Sequence, residues 1–259
     1  MNKRKLKWQL ATNPFDVYVH DPFNAVKRVH SPLAPSLSPF EQLPLCEGAG
    51  GCPLPLQQTP PSKGGRGVSG AGGVLHLRTC AEGLNKDGIV VAYLYSTHDG
   101  RFFDRSKDGW CEHKLAYGPG MQNHKGGSAY PVMRHFGDLL CHTLIAHAWI
   151  GKRPEGKVCD HLDTNPLNLC ADNLEWVTPA ENNRRARIAK RLRKAGIDPK
   201  LLHTRLLKGI YRLPDECIEQ LIGLFLYLSH EEFGDDPLDK FTLNACLAAA
   251  LDDVYEKLS

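Results

Sequence analysis

The chain has 259 residues, of which 42% are apolar and 24% charged, and a formal net charge of +3. That is enough for one or two modest hydrophobic cores and too near neutral to mark a uniformly basic or acidic protein. No run approaches the roughly 18 apolar residues of a membrane span, and no apolar signal core follows the basic start Met1-Asn2-Lys3-Arg4-Lys5, so the chain is expected to be cytoplasmic with no membrane partner. Its nine cysteines are scattered without a Cys-x-x-Cys pair, which argues against a disulfide framework and makes a structural zinc site unexpected, although Cys141, Cys159 and Cys170 lie around one motif.

Residues 1–30 contain one short strand, Asp16-Val17-Tyr18-Val19-His20, by alternation of β-formers. Residues 31–73 are crowded with Pro, Gly and Ser and lack periodic apolar residues, so a disordered insertion is expected there. Gly64-Gly65-Arg66-Gly67 within it has neither the Lys-Ser/Thr ending nor a preceding strand of a phosphate loop. Residues 74–136 are strand-rich: Gly88 to Ser96, a Thr97-His98-Asp99-Gly100 turn, and Arg101-Phe102-Phe103-Asp104 read as strand, turn, strand.

Residues 137–195 hold the most informative stretch. A helix-like Cys141-His142-Thr143-Leu144-Ile145-Ala146-His147-Ala148-Trp149-Ile150 precedes Val158-Cys159-Asp160-His161. A loop rich in Asn, Asp and Pro leads on to Asn173-Leu174-Glu175-Trp176-Val177. The two apolar-rich runs predict a pair of extended segments joined by an irregular loop. Thr178-Pro179-Ala180-Glu181 then carries a hydroxyl at N-cap, Pro at the first helical position and Glu three residues after the cap, which starts a helix and sets Asn182 in its opening turn. Trp176 is expected in the core, because its strand must pack against that helix.

This arrangement suits phosphodiester cleavage, which needs a base to take a proton from water and a hard cation to neutralise developing charge. His161 is the candidate base, since imidazole titrates near working pH. Asp160 and the Asn182 amide oxygen are oxygen ligands of the kind that suit Mg²⁺ or Mn²⁺. Read singly, an Asp-His pair is common in loops and Asn182 could simply help cap its helix.

Taken together, the acid-His strand, the Asn-rich loop, the Asn-Leu-Glu-Trp strand and the Glu-Asn of the helix resemble the HNH nuclease family, in the phage and mobile-intron homing type whose third motif residue is Asn. The resemblance runs from about Gly137 to Arg187, and departs from the family at Thr143, where Arg is usual. It implies an α+β protein with a ββα-metal, or His-Me finger, nuclease core. It further implies an endonuclease acting on double-stranded DNA and leaving 5′-phosphate and 3′-hydroxyl ends. Asn173, as the middle residue of the motif, would tie the loop and orient His161. A catalytically inactive DNA-binding protein on the same scaffold is the alternative.

Charge is strongly segregated beyond the motif. From Arg184 to Lys208 there are ten Lys or Arg against the single Asp198, whereas Asp215 to Ser259 holds eleven acidic residues against Lys240 and Lys257. Arg184, Arg185, Arg187, Lys190, Arg191, Arg193 and Lys194 are the candidate phosphate contacts, with Arg187, Arg191 and Lys194 expected on one face. Residues 196–259 predict helices over Pro214 to His230 and Pro237 to Leu258. Ile218, Leu221, Ile222, Phe225 and Leu228 face inward in the first, and Phe241, Leu243, Leu247, Leu251 and Val254 in the second. Their acidity favours packing, homodimerisation or a protein partner over direct contact with DNA.

Overall fold

The computed structural model describes residues 6–20, 74–106, 109–117, 130–234 and 237–258. The Pro- and Gly-rich stretch 31–73 lies outside the described residues. The protein mixes both kinds of secondary structure: a strand-rich first half, a central strand–strand–helix unit, and a helical last third.

The largest sheet is antiparallel and runs in the order β1 (Lys7–Leu10), β3 (Val74–Leu84), β4 (Val90–Ser96), β5 (Phe102–Ser106), β6 (Gly109–His113), with β2 (Asp16–His20) also paired to β3. The eleven-residue β3 serves both N-terminal strands: its first half pairs with β2 and its last four residues with β1. A bulge between Thr79 and Ala81 interrupts the β3–β4 register, which turns Cys80 as well as Ala81 into the interior. The expected strand, turn and strand over 88–104 are β4, a turn at residues 97–100, and β5. A small sheet of β7 (Ala116–Tyr117), β8 (Pro131–Met133) and β9 (Leu139–Leu140) follows and leads into α1 (Cys141–Ile145), which continues as a π-helical turn through Ile150.

The central unit is β10 (Val158–His161), β11 (Leu174–Val177) and α2 (Pro179–Lys194). β10 and β11 pair antiparallel, with Asp160 opposite Glu175 and His161 opposite Leu174. Thr178 caps α2 by accepting a hydrogen bond from the Glu181 N–H at 3.2 Å, as its spacing predicts. The Glu181 carboxylate is turned instead to Arg184 and Arg185.

This unit is shared between two cores. Leu174 and Trp176 of β11, with Cys141, Leu144 and Ile145 of α1, pack against Trp8, Leu94 and Phe102 of the large sheet. Leu162, just beyond β10, and Ile188 and Leu192 of α2 join the other core, with α3 (Thr204–Arg212), α4 (Cys217–Phe233) and α5 (Lys240–Leu258). Trp176 is buried as expected, its indole N–H donating to the Gly151 carbonyl at 2.9 Å. A third cluster of Val19, Leu77, Tyr95 and Phe103 covers the opposite face of the sheet.

The turn at residues 97–100 is pressed against the central unit. Gly100 has φ +97°, and a Cβ there would lie 2.6 Å from that of Leu169, so any side chain would push the loop carrying Asn173 away. The Ala171 N–H donates to the His98 carbonyl at 2.9 Å across the same junction.

Two helix expectations need correction. Phe241 is not on the inward face of α5 but 81% exposed, because it stands two residues before Leu243 and therefore nearly on the opposite side of the helix. The same helix begins at Lys240 rather than Pro237, since the Asp239 carboxylate accepts from the Thr242 N–H at 2.8 Å and so caps it.

Candidate functional site

The end of β10, the following loop and the first turns of α2 enclose a cleft of about 240 Å³. Asp160, His161, Thr164, Pro166, Asn182, Arg185 and Ala186 line it, with Tyr130 and Tyr211 as outer walls. Adjacent strand residues point to opposite faces, and yet Asp160 and His161 both reach this cleft, because β10 ends at His161 and the backbone turns there. Asn182 reaches it because the Thr178 cap fixes where α2 starts.

The loop between the strands is held by a buried polar knot. Asn173 is fully buried. Its Nδ2 donates to Asp163 Oδ1 at 2.8 Å and to the Asn168 carbonyl at 3.0 Å, and its Oδ1 accepts from the Asp163 N–H at 3.1 Å. Asp163 also accepts from Asn168 Nδ2 at 2.7 Å and from the Asn165 N–H at 2.8 Å. The backbone just after His161 is thus tied to the base of β11, and the Leu162 N–H adds to this by donating to the Asn173 carbonyl at 2.9 Å.

His161 is 5% exposed, and its Nε2 has no hydrogen-bond partner among the described residues. Burial, and then the neighbouring His142, hold its imidazole down at about 3. The His142 ring stands edge-on at 5.1 Å, and Tyr130 lies within 6 Å of both rings. His142 itself is buried, held down at about 4 by loss of solvent. Both imidazoles are therefore neutral at pH 7, and the expectation that His161 titrates near working pH is corrected: burial makes it a weaker base than a free imidazole, with an acceptor nitrogen that is unprotonated.

Asp160 behaves oppositely. Burial pushes its carboxyl up to about 6, against the pull of the Arg185 guanidinium, which lies 3.4 Å away. Arg185 is spread over three acids: its Nη1 also meets Glu175 at 2.9 Å and its Nε meets Glu181 at 3.0 Å, and its plane lies over the Tyr211 ring at 5.2 Å. Tyr211 in turn donates its hydroxyl to the Leu162 carbonyl at 2.8 Å. A carboxylate destabilised by burial, an amide oxygen on the same cleft and a buried ring nitrogen without a partner are groups that a hard cation and its water ligands could engage.

The other candidate residues divide into two sets. Arg184 donates to the carbonyls of Tyr211 and Leu213 and pairs with Asp215 at 2.7 Å, which fastens α2 to the turn after α3. Arg191 reaches the Asp215 carbonyl and Glu219, and Arg193 the Thr164 hydroxyl. Arg187, Lys190 and Lys194 are exposed and, at three- and four-residue spacing, share one side of α2. That trio, rather than Arg187, Arg191 and Lys194, is the solvent-facing basic set.

Tyr130, Glu175 and Tyr211 complete the site without a mark of their own in the sequence, and His142, which sequence alone leaves between touching DNA and packing inside, is buried beside His161. Glu175 was readable as the cross-strand neighbour of Asp160 once the two strands were paired, and Arg185 as the i+4 partner of Glu181. Nothing local marks Tyr211, which arrives from a helix about fifty residues beyond His161.

Residues 139–184 match the model of a protein family described as HNH endonuclease. No curated protein and no solved structure is significantly similar to the chain.

Proposed function

We propose that this chain, whose residues 139–184 match the HNH endonuclease family model, hydrolyses phosphodiester bonds of double-stranded DNA with the help of a divalent cation. The observation that carries the reading is the convergence of Asp160, His161 and Asn182 on one cleft. Neutral His161 accepts the proton of a water aligned for in-line attack on phosphorus. The knot around Asn173 keeps the imidazole from swinging away as the substrate enters. Arg185 holds Asp160 against Glu175 and Glu181, so that the carboxylate does not have to reorganise. A hard cation, Mg²⁺ or Mn²⁺, bound by oxygens of Asp160 and Asn182 would supply charge neutralisation at the phosphate and the leaving 3′ oxygen. The exposed side of α2 supplies non-specific contacts to the DNA backbone. By the resemblance alone, the products carry 5′-phosphates and the protein serves a homing or other mobile element.

One observation favours the second reading, a DNA-binding protein that does not cut: His161 is 5% exposed, with Tyr130 and His142 packed around it. Incubation of supercoiled plasmid with the full chain and Mg²⁺, with and without excess chelator, separates the two. Chelator-sensitive conversion to nicked or linear DNA supports the nuclease; binding without conversion supports the scaffold. A homodimer or a protein partner through α4 and α5 is a further proposal, which sedimentation equilibrium tests.

A further inference from the structure

On the far side of α3 from the buried Leu206, Leu207 and Ile210 lies a groove of about 580 Å³, lined by Arg205, Lys208 and Arg212 together with Thr204, Gly209, Tyr255 and Asp172. The three cations stand at i, i+3 and i+7 and therefore form one stripe. Among the described residues none of the three pairs with an acid, although α4 and α5 are rich in acids and although Arg184, Arg185 and Arg191 on α2 all do. Asp172, the acid among the described lining residues, lies 3.5 Å from His98 Nε2 at the groove's edge.

We infer that this stripe is a second seat for the backbone of duplex DNA, and that the acidic helices serve as the frame that presents it. For the identity of the polyanion the inference rests on the DNA-cleaving reading above. Three like charges gathered without an ion-paired acid among the described residues repel one another, and a polyphosphate relieves that repulsion while releasing condensed cations. The stripe spans seven residues of helix, about 10 Å, which matches roughly three successive phosphates of one strand. The same helix also borders the reaction site: Tyr211, next to Arg212 in the chain, lines the Asp160–His161 cleft.

The frame is visible in the packing. The Tyr255 hydroxyl donates to the Gly209 carbonyl at 2.9 Å, and a Cβ on Gly209 would approach Leu251 Cδ2 to 2.8 Å, so α3 packs closely on α5 there. Asn244 of α5 accepts from the His203 N–H at 2.8 Å and donates to the Leu201 carbonyl at 2.9 Å, fixing the entry to α3. The acids of the C-terminal helices thus need not touch DNA for those helices to contribute to its binding.

The test measures affinity of the full chain for a fluorescent duplex in chelator across a range of salt. The wild type is compared with the triple variant Arg205→Ala/Lys208→Ala/Arg212→Ala and with Arg205→Lys/Arg212→Lys, which keeps the charges. The triple variant should lower the slope of log affinity against log salt by two to three units, at about 0.9 per phosphate, while the lysine variant keeps the wild-type slope. An unchanged slope in the triple variant, or an equal loss in the lysine variant, overturns the inference. Plasmid cutting is scored separately. A slope difference without cutting removes the nuclease reading and leaves the seat in place; cutting without a slope difference does the reverse.

Discussion

Asn173 and Asp163 hold each other in both directions, side chain to side chain at 2.8 Å and backbone to side chain at 3.1 Å, inside a loop that places His161. Deleting one side of such an arrangement leaves a buried carboxylate short of a donor, which costs more than the bond itself is worth. Asn173→Ala should therefore destabilise the chain by about 2–3 kcal/mol in urea denaturation, and Asn173→Asp by more, since it sets two carboxylates together. A loss below about 0.5 kcal/mol, the range of an ordinary surface change, would show that the knot is dispensable.

His161→Ala should lower plasmid cleavage by roughly 10²- to 10⁴-fold with duplex affinity almost unchanged, because proton acceptance matters only in the transition state. Undiminished cleavage would place the base elsewhere.

Asp160→Ala and Asn182→Ala should each raise the Mg²⁺ concentration needed for half-maximal cleavage, Asp160→Ala by the larger factor, since it removes a full charge and Asn182→Ala only a dipole. Equal effects, or activity surviving excess chelator, would count against Asp160 as the principal ligand.

His142 sets a pH dependence of stability. Its folded value, about 4, lies below the ordinary 6.5, so the unfolded chain binds the proton more readily between those values. The contribution is present above about pH 6.5 and is lost as the pH falls toward 4. Asp160 and His161 titrate in overlapping windows, and the carboxyl acts with the opposite sign, so the difference between wild type and His142→Gln is the useful quantity. That difference should shrink by a few kcal/mol from pH 7 to pH 4.5; a difference independent of pH would mean that His142 meets the proton equally well in both states.

Replacing Arg187, Lys190 and Lys194 by Ala should reduce the salt slope of DNA binding by about two to three units. Arg184→Ala should act mainly on stability, because its guanidinium fastens α2 to the turn after α3. Wild-type affinity and slope in the triple variant would make that side of α2 a solvated face.

The strand–loop–strand–helix unit was legible because its signals are local: two short apolar runs, a hydroxyl and a proline at the head of α2, and an Asn-rich loop that closes on itself. Asp160, His161 and Asn182 could be placed on one cleft from those signals alone. What escaped is non-local. The length of α2 announces seven basic residues, but whether each faces solvent depends on acids supplied by β10, β11 and the turn after α3, which no spacing within the helix reveals. Phe241 differs for a simpler reason: its two-residue offset from Leu243 contradicts a helical period. Tyr130 and Tyr211 come from distant segments and become neighbours of His161 only through the two cores.

Because β11 belongs to the core under the large sheet while Leu162 and α2 belong to the core of the last three helices, neither half can assemble the cleft alone. A chain interrupted before α3 would present Ile188 and Leu192 to water and leave the Leu162 carbonyl without the Tyr211 hydroxyl. A site so divided forms only once both cores have folded, so a fragment that ends before α3 should lack it.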